Sequence, residues 1–135
     1  MKRNSWILGV LLTLAATATL AEVDEGSVVR GGRLYDDWMK ETRERAPTGT
    51  HPALPAKLAS VTPYDSWRCA QCHGFDYKGQ HGVTGIRGRR GTSPSLTIAT
   101  LKNPSHRYDT LLKESDLTDL ANFVAYGQVL SLIHI

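Results

Sequence analysis

Cys69 and Cys72 are the only cysteines in this chain, and His73 follows the second of them directly, in the stretch WRCAQCH. Three chemistries use a Cys-x-x-Cys pair. A redox dithiol of the thioredoxin sort sits in a βαβ context, and no alternating strand–helix pattern surrounds this pair. A zinc centre takes four ligands, usually from two spaced pairs. There is no second cysteine pair, and His51, His81, His106 and His134 show no paired spacing. The third chemistry is covalent haem attachment, whose signature is C-x-x-C-H. Two residues between the cysteines on one helical turn match the separation of the two porphyrin vinyl carbons. The histidine then projects from the same turn toward the metal. The motif predicts one covalently attached haem c on Cys69 and Cys72, with His73 as the proximal iron ligand.

A second axial ligand has few sources. Of the two methionines, Met1 opens the chain and Met39 lies well before the haem motif. That leaves His51, His81, His106, His134 or an open site. Arg68, Trp67, Tyr108, Tyr64 and the arginines of GIRGRRG (Arg87, Arg89, Arg90) are candidates for hydrogen bonds to the haem carboxylates. Leu96, Ile98, Leu101, Leu111, Leu112, Phe123 and Val124 are candidates for the pocket wall.

The elements that must position these residues are helical. In 28–45, Leu34 and Trp38 are four apart, as are Tyr35 and Met39, which predicts an amphipathic helix ended by Ala46-Pro47. Gly31 and Gly32 cost helix propensity, and their expected use is close approach of another helix. The stretch 48–63 carries three prolines and no period, so a loop is expected, with a turn of helix at 56–59. A short helix is expected at the cysteines. The stretch 74–95 has six glycines and no hydrophobic repeat, which excludes a long helix or buried strand and suits an extended wrapping segment. A short helix is expected at 95–102. The clearest helix is 115–127, with Ser115 as N-cap, Asp116 and Asp119 near its positive end, apolar Leu117, Leu120, Ala121 and Val124, and Gly127 as its stop.

The leader fits the same chemistry. Lys2 and Arg3 precede an apolar run, Trp6 to Leu14, and small-x-Ala patterns end at Ala18 and Ala21. This is the layout of a secretory signal peptide at 1–21; its uncharged segment is shorter and more Thr/Ala-rich than the ~20 apolar residues of a spanning helix. A bacterial-type export route places the product in the periplasm, the side of the membrane where haem c is attached. Removing 1–21 takes away Lys2, Arg3 and no acid, so the formal charge falls from +3 to +1. Such a charge gives no argument for a nucleic-acid partner. The local GIRGRRG cluster reads as a solvated loop or as a docking patch for an acidic partner.

GGRLYDDW near the front, HRYDTLL and LTDLANFVAYG at the back resemble the class I c-type cytochromes over roughly 28–130. The segments THPALP and WRCAQCHGFDYKG make the closest resemblance that to the first haem domain of exported di-haem cytochromes c. This resemblance implies an all-α fold, a small domain of three to five short helices with long loops wrapped around a covalently bound haem, spanning 22–130. It matches His106 to the family's methionine position and so implies His106 as the distal ligand. The long 46–63 loop departs from the family pattern. The apolar ending at 131–135 is expected to lie outside the domain, as a truncation or sequencing artefact. The function implied is a one-electron carrier in a periplasmic electron-transfer chain, with redox proteins as partners and no catalytic residues. The rival is a haem-dependent oxidoreductase subunit with a labile distal ligand, acting on sulfur compounds or peroxide.

Overall fold

The computed structural model describes residues 22–128; the leader at 1–21 and the closing stretch with His134 lie outside the described residues. Among the described residues the regular structure is helical throughout, with no strand. No helix among them is long and apolar enough to cross a membrane.

The first helix, α1, runs Glu25–Thr42. It begins three residues before the expected start because Asp24 caps it, its Oδ1 accepting from the Gly26 and Ser27 N–H groups at 2.9 and 3.3 Å. It ends at Thr42, ahead of Ala46-Pro47, where Arg43 turns left-handed at φ 62. Its buried stripe is Val28, Gly31, Leu34, Tyr35, Trp38 and Met39, the face the spacing predicts. The helix is kinked at Asp37, which takes extended φ/ψ of −156 and 88. There the Lys40 N–H donates to Asp37 Oδ1 at 3.1 Å. The Asp36 carbonyl accepts from Arg68 Nε at 2.7 Å.

Three helices follow: α2 at Cys69–His73, α3 at Pro94–Leu101 and α4 at Glu114–Asn122. A widened π-type turn, Phe123–Gly127, extends α4. Short 3₁₀ turns at Ala56–Leu58, Asp65–Trp67, Arg87–Arg89 and Tyr108–Thr110 punctuate the loops. The N-cap of α4 is Lys113, two residues before the expected Ser115. The cause is Asp116, whose Oδ2 reaches back to the Lys113 N–H at 3.0 Å.

The α1 and α4 helices cross at Gly31. A Cβ there would stand 2.0 Å from the Asp119 carbonyl oxygen and 2.6 Å from Phe123 Cβ. The expected use of this glycine is therefore its actual one. Arg30 seals the crossing, with Nη1 2.6 Å from Asp119 Oδ2 and Nη2 2.6 Å from Asp116 Oδ1. Asp116 is buried and Arg30 only half-covered, so the pair is hydrogen-bonded where desolvation is greatest. These contacts bring Tyr35 against Phe123 and Tyr77, with ring centres 5.5 and 5.4 Å apart.

Gly31→Ala is expected to destabilise the protein by about 1–3 kcal/mol despite the gain in helix propensity, because the added methyl meets backbone. Gly88→Ala, where a Cβ meets nothing within 4 Å, is the control and should leave the thermal midpoint within a degree or so. Thermal unfolding of the two variants checks this.

Candidate functional site

A five-residue helix does not hold itself in water, and α2 is fixed from outside at both ends. At its entry, the Trp67 carbonyl accepts two buried hydrogen bonds, from Trp38 Nε1 at 2.8 Å and from the Tyr108 hydroxyl at 2.9 Å. At its exit, the Gly74 carbonyl accepts from the Tyr35 hydroxyl at 2.6 Å. Tyr35 and Trp38 both belong to the buried stripe of α1, one on each side of its kink at Asp37, so that helix sets the position of Cys69, Cys72 and His73.

His73 is oriented by the glycine-rich loop that follows it. Its Nδ1 lies 2.7 Å from the Thr84 carbonyl oxygen. That oxygen can only accept, so Nδ1 carries the proton and Nε2 keeps its lone pair free. The loop turns back on itself through Gly79 N–H to His73 O at 2.8 Å and Ile86 N–H to Tyr77 O at 2.9 Å. It does so at backbone-contact distance. A Cβ on Gly79 would stand 2.1 Å from the Val83 carbonyl oxygen, and one on Gly85 would stand 2.2 Å from the Lys78 carbonyl carbon. The glycines that exclude regular structure here are what deliver Thr84 to His73.

His106 receives the same treatment from a different element. Helix α3 ends at Leu101, and Asn103 then folds its side chain over the next turn. One oxygen, Asn103 Oδ1, takes the Ser105 N–H at 2.9 Å, the His106 N–H at 3.0 Å and His106 Nδ1 at 3.1 Å. Again Nδ1 is the donor and Nε2 is left bare. Burial, then the neighbouring His73 and His51, hold His106 below the usual histidine range, which favours the neutral ligand form.

The two imidazoles face one another. Their planes are parallel to within 8° and their centres are 6.1 Å apart. One ion bound by both rings would set the centres about 6 Å apart, from two metal–nitrogen bonds of about 2 Å and half a ring width at each end. Both rings line a cavity of about 330 Å³, with Cys69 and Cys72 on its wall beside Ile86, Leu101, Leu120 and Val124. The volume is in the range of ligand pockets, roughly 300–1,000 Å³. Thr97 Oγ1, also on this wall, is buried without a hydrogen-bond partner among the described residues. An orphaned hydroxyl of this kind fits a polar ligand group. A larger cleft of about 640 Å³ shares Tyr35 with the cavity but is lined by no cysteine or histidine. No family model, curated protein or solved structure matches the chain.

The donor set is therefore two imidazoles and two thiols, and its arrangement separates the three sequence readings. Among the described residues no three His, Cys, Asp or Glu side chains converge into a metal-binding group, so the four do not form a closed zinc centre. Both cysteines are free thiols. Burial pushes the Cys69 thiol up to about 12 and raises Cys72 as well, the opposite of a reactive redox dithiol. Two thiols and two imidazoles on the wall of one cavity are the donor types that a covalently attached haem would take.

The other candidates are distributed differently. Arg68 lines the cavity but spends its guanidinium on Asp36 at 2.8 Å and Asp65 at 3.2 Å. Tyr108 lines the cavity with its hydroxyl already on the Trp67 carbonyl. Trp67 is core, and its indole N–H goes to the Gly49 carbonyl at 2.9 Å. Tyr64 is tied to Asp37 at the surface at 2.9 Å. Of the arginine cluster, Arg89 lies on the cavity wall, while Arg87 bonds the Asp76 carbonyl. His81 is exposed and absent from the cavity wall. Of the expected pocket residues, Leu101 and Val124 line the wall; Phe123 is core and Leu96 is exposed. Sequence reasoning missed Thr84 and Asn103. Thr84 acts through its carbonyl and leaves no residue-type signal, whereas Asn103-Pro104 carries the signature of a side-chain-closed turn.

The hydrogen bonds fix three tautomers. Long-range nitrogen–proton NMR correlations should find His73 and His106 as Nδ1–H and His51, whose Nδ1 accepts the Ala53 N–H at 3.1 Å, as Nε2–H. An Nε2–H tautomer at His73 or His106 contradicts the site.

Proposed function

We propose that this chain is an exported, periplasmic haem c protein that acts as a one-electron carrier between redox proteins. The haem is attached through Cys69 and Cys72 and ligated by His73 and His106. The observation that carries this reading is the facing pair of imidazoles, parallel and 6.1 Å apart, each with Nδ1 committed to an oxygen. Metal-bound histidines characteristically donate their second ring nitrogen in this way. The sequence resemblance to class I c-type cytochromes points the same way.

The haem, when bound, supplies a reversible one-electron couple. The residues of the chain do the rest. His73 and His106 would hold the haem iron through their bare Nε2 atoms, and with both bound they would leave a substrate no place there. The Thr84 carbonyl and the Asn103 side chain stop each ring from turning. Ile86, Leu101, Leu120 and Val124 keep water from the pocket. Arg89, on the wall and at the surface, and the Thr97 hydroxyl are the free donors for the haem carboxylates. Arg87, Arg89 and Arg90 form an exposed cationic stretch beside the site, suited to an acidic redox partner.

The absorption spectrum of the ferrous protein should be unchanged by carbon monoxide. His106→Ala should bind it rapidly and raise the reduction potential. The wild-type potential should fall below that of Met/His-ligated cytochromes. Rapid carbon monoxide binding by the wild type would instead favour an oxidoreductase with an open site.

A further inference from the structure

The two ring tethers differ in kind. The Thr84 carbonyl that holds His73 belongs to the main chain and stands 2.7 Å from Nδ1. The acceptor for His106 belongs to a side chain, and the contact is longer, 3.1 Å. That oxygen is also shared. Asn103 Oδ1 takes the Ser105 N–H at 2.9 Å and the His106 N–H at 3.0 Å besides the ring. An amide oxygen offers two lone pairs, so three donors compete for it, and the ring holds the longest of the three contacts.

The backbone of the turn has its own bonds. The Asn103 main-chain carbonyl accepts the His106 N–H at 3.1 Å and the Arg107 N–H at 2.9 Å, and the Asn103 N–H donates to the Thr100 carbonyl at 3.1 Å. Lys102 Nζ pairs with Glu114 at the start of α4. The contact between Oδ1 and Nδ1 closes no backbone ring; it acts on the imidazole alone. A histidine that binds a metal through one nitrogen becomes more basic when the other donates to an acceptor. A carboxylate is the stronger acceptor and a neutral amide oxygen the weaker.

We propose that Asn103 is a positioning residue for His106 whose neutral, shared side-chain oxygen sets how strongly the distal imidazole binds the haem iron. This rests on the haem reading above and deepens it. The proximal tether is main chain, so no exchange of the Thr84 side chain changes its acceptor. The distal tether is encoded by one side chain, which makes position 103 the place where the sequence tunes the potential of the site and the release of its sixth ligand.

The test compares the haem-loaded full chain with Asn103→Asp, Asn103→Ala and Ser105→Asp. Aspartate has the shape of asparagine and closes the same kind of turn, so it changes the acceptor and leaves the backbone. Ser105 is exposed on the same turn, and Ser105→Asp adds the same charge without a bond to the ring. The readouts are the reduction potential, the His106 Nδ1 proton resonance of the ferrous protein and carbon monoxide uptake. Asn103→Asp should lower the potential more than Ser105→Asp does, and should move the Nδ1 proton downfield where Ser105→Asp leaves it in place. Asn103→Ala should raise the potential and take up carbon monoxide, because losing the hydrogen bond raises the detached fraction of His106 about five- to ten-fold. A purely structural role would lower the unfolding midpoint of Asn103→Ala and leave Asn103→Asp equal to Ser105→Asp in potential. That equality, with the Nδ1 proton unmoved, overturns the proposal, as does a folded Asn103→Ala protein with the wild-type potential and no carbon monoxide uptake. If Asn103→Ala does not fold, the two aspartate variants decide the matter. A wild type that carries no haem or takes up carbon monoxide freely overturns the functional reading and this one together. A wild type inert to carbon monoxide with Asn103→Asp matching Ser105→Asp overturns this one alone.

Discussion

The structure depends on two carbonyl oxygens, those of Trp67 and Gly74, which flank the five residues Cys69–His73. Each accepts a buried hydrogen bond from α1, from Trp38 and Tyr35 respectively, and Tyr108 adds a second at Trp67. A single turn of helix carries too little internal bonding to keep its shape. Bonded at both ends to one face of a longer helix, it becomes a fixed platform. Everything else arranges itself around that platform: α4 crosses α1 at Gly31 to press Phe123 on Tyr35, and the glycine loop returns to place Thr84 on His73. Replacing one of these donors removes a buried hydrogen bond at an oxygen that fastens α2.

Much of this architecture is legible in the sequence because it rests on side chains with periodic spacing. The 3.6-residue pattern of Leu34, Tyr35, Trp38 and Met39 gives the buried face of α1, and Gly31 announces the close crossing. The ends of α1 and α4 are less legible. They are set by carboxylates acting at a distance of two or three residues, Asp24 and Asp116, which compete with other capping candidates in the same stretch. The kink at Asp37 is invisible in the pattern, since the buried face continues through it. At the kink Asp37 Oδ1 accepts the Lys40 N–H, and Arg68, distant in the chain, donates to the Asp36 carbonyl.

The site divides along the same line. The motif itself names Cys69, Cys72 and His73, and resemblance suggests His106 over the other histidines. The structure adds the groups that orient the two histidine rings. Thr84 contributes only main chain, so nothing about its side chain marks it. Asn103 is marked by a turn signature whose purpose the sequence alone does not disclose. Arg68, next to the motif, has its charge drawn away by Asp36 and Asp65, whereas Thr97 on α3 carries a buried hydroxyl that lacks a partner among the described residues. Proximity in sequence to a motif is a poor guide to which polar groups remain available, because neighbours of a motif are also the residues that must fasten it.

The central claim is that His73 and His106 ligate one haem iron with their planes nearly parallel. Electron paramagnetic resonance of the ferric wild-type protein tests it most directly, since spin state reports the axial ligands and the low-spin anisotropy reports the angle between imidazole planes. The account predicts a low-spin signal of the rhombic type that near-parallel imidazoles produce. A high-spin signal, a low-spin signal of the crossed-plane type, or a protein without iron would contradict it.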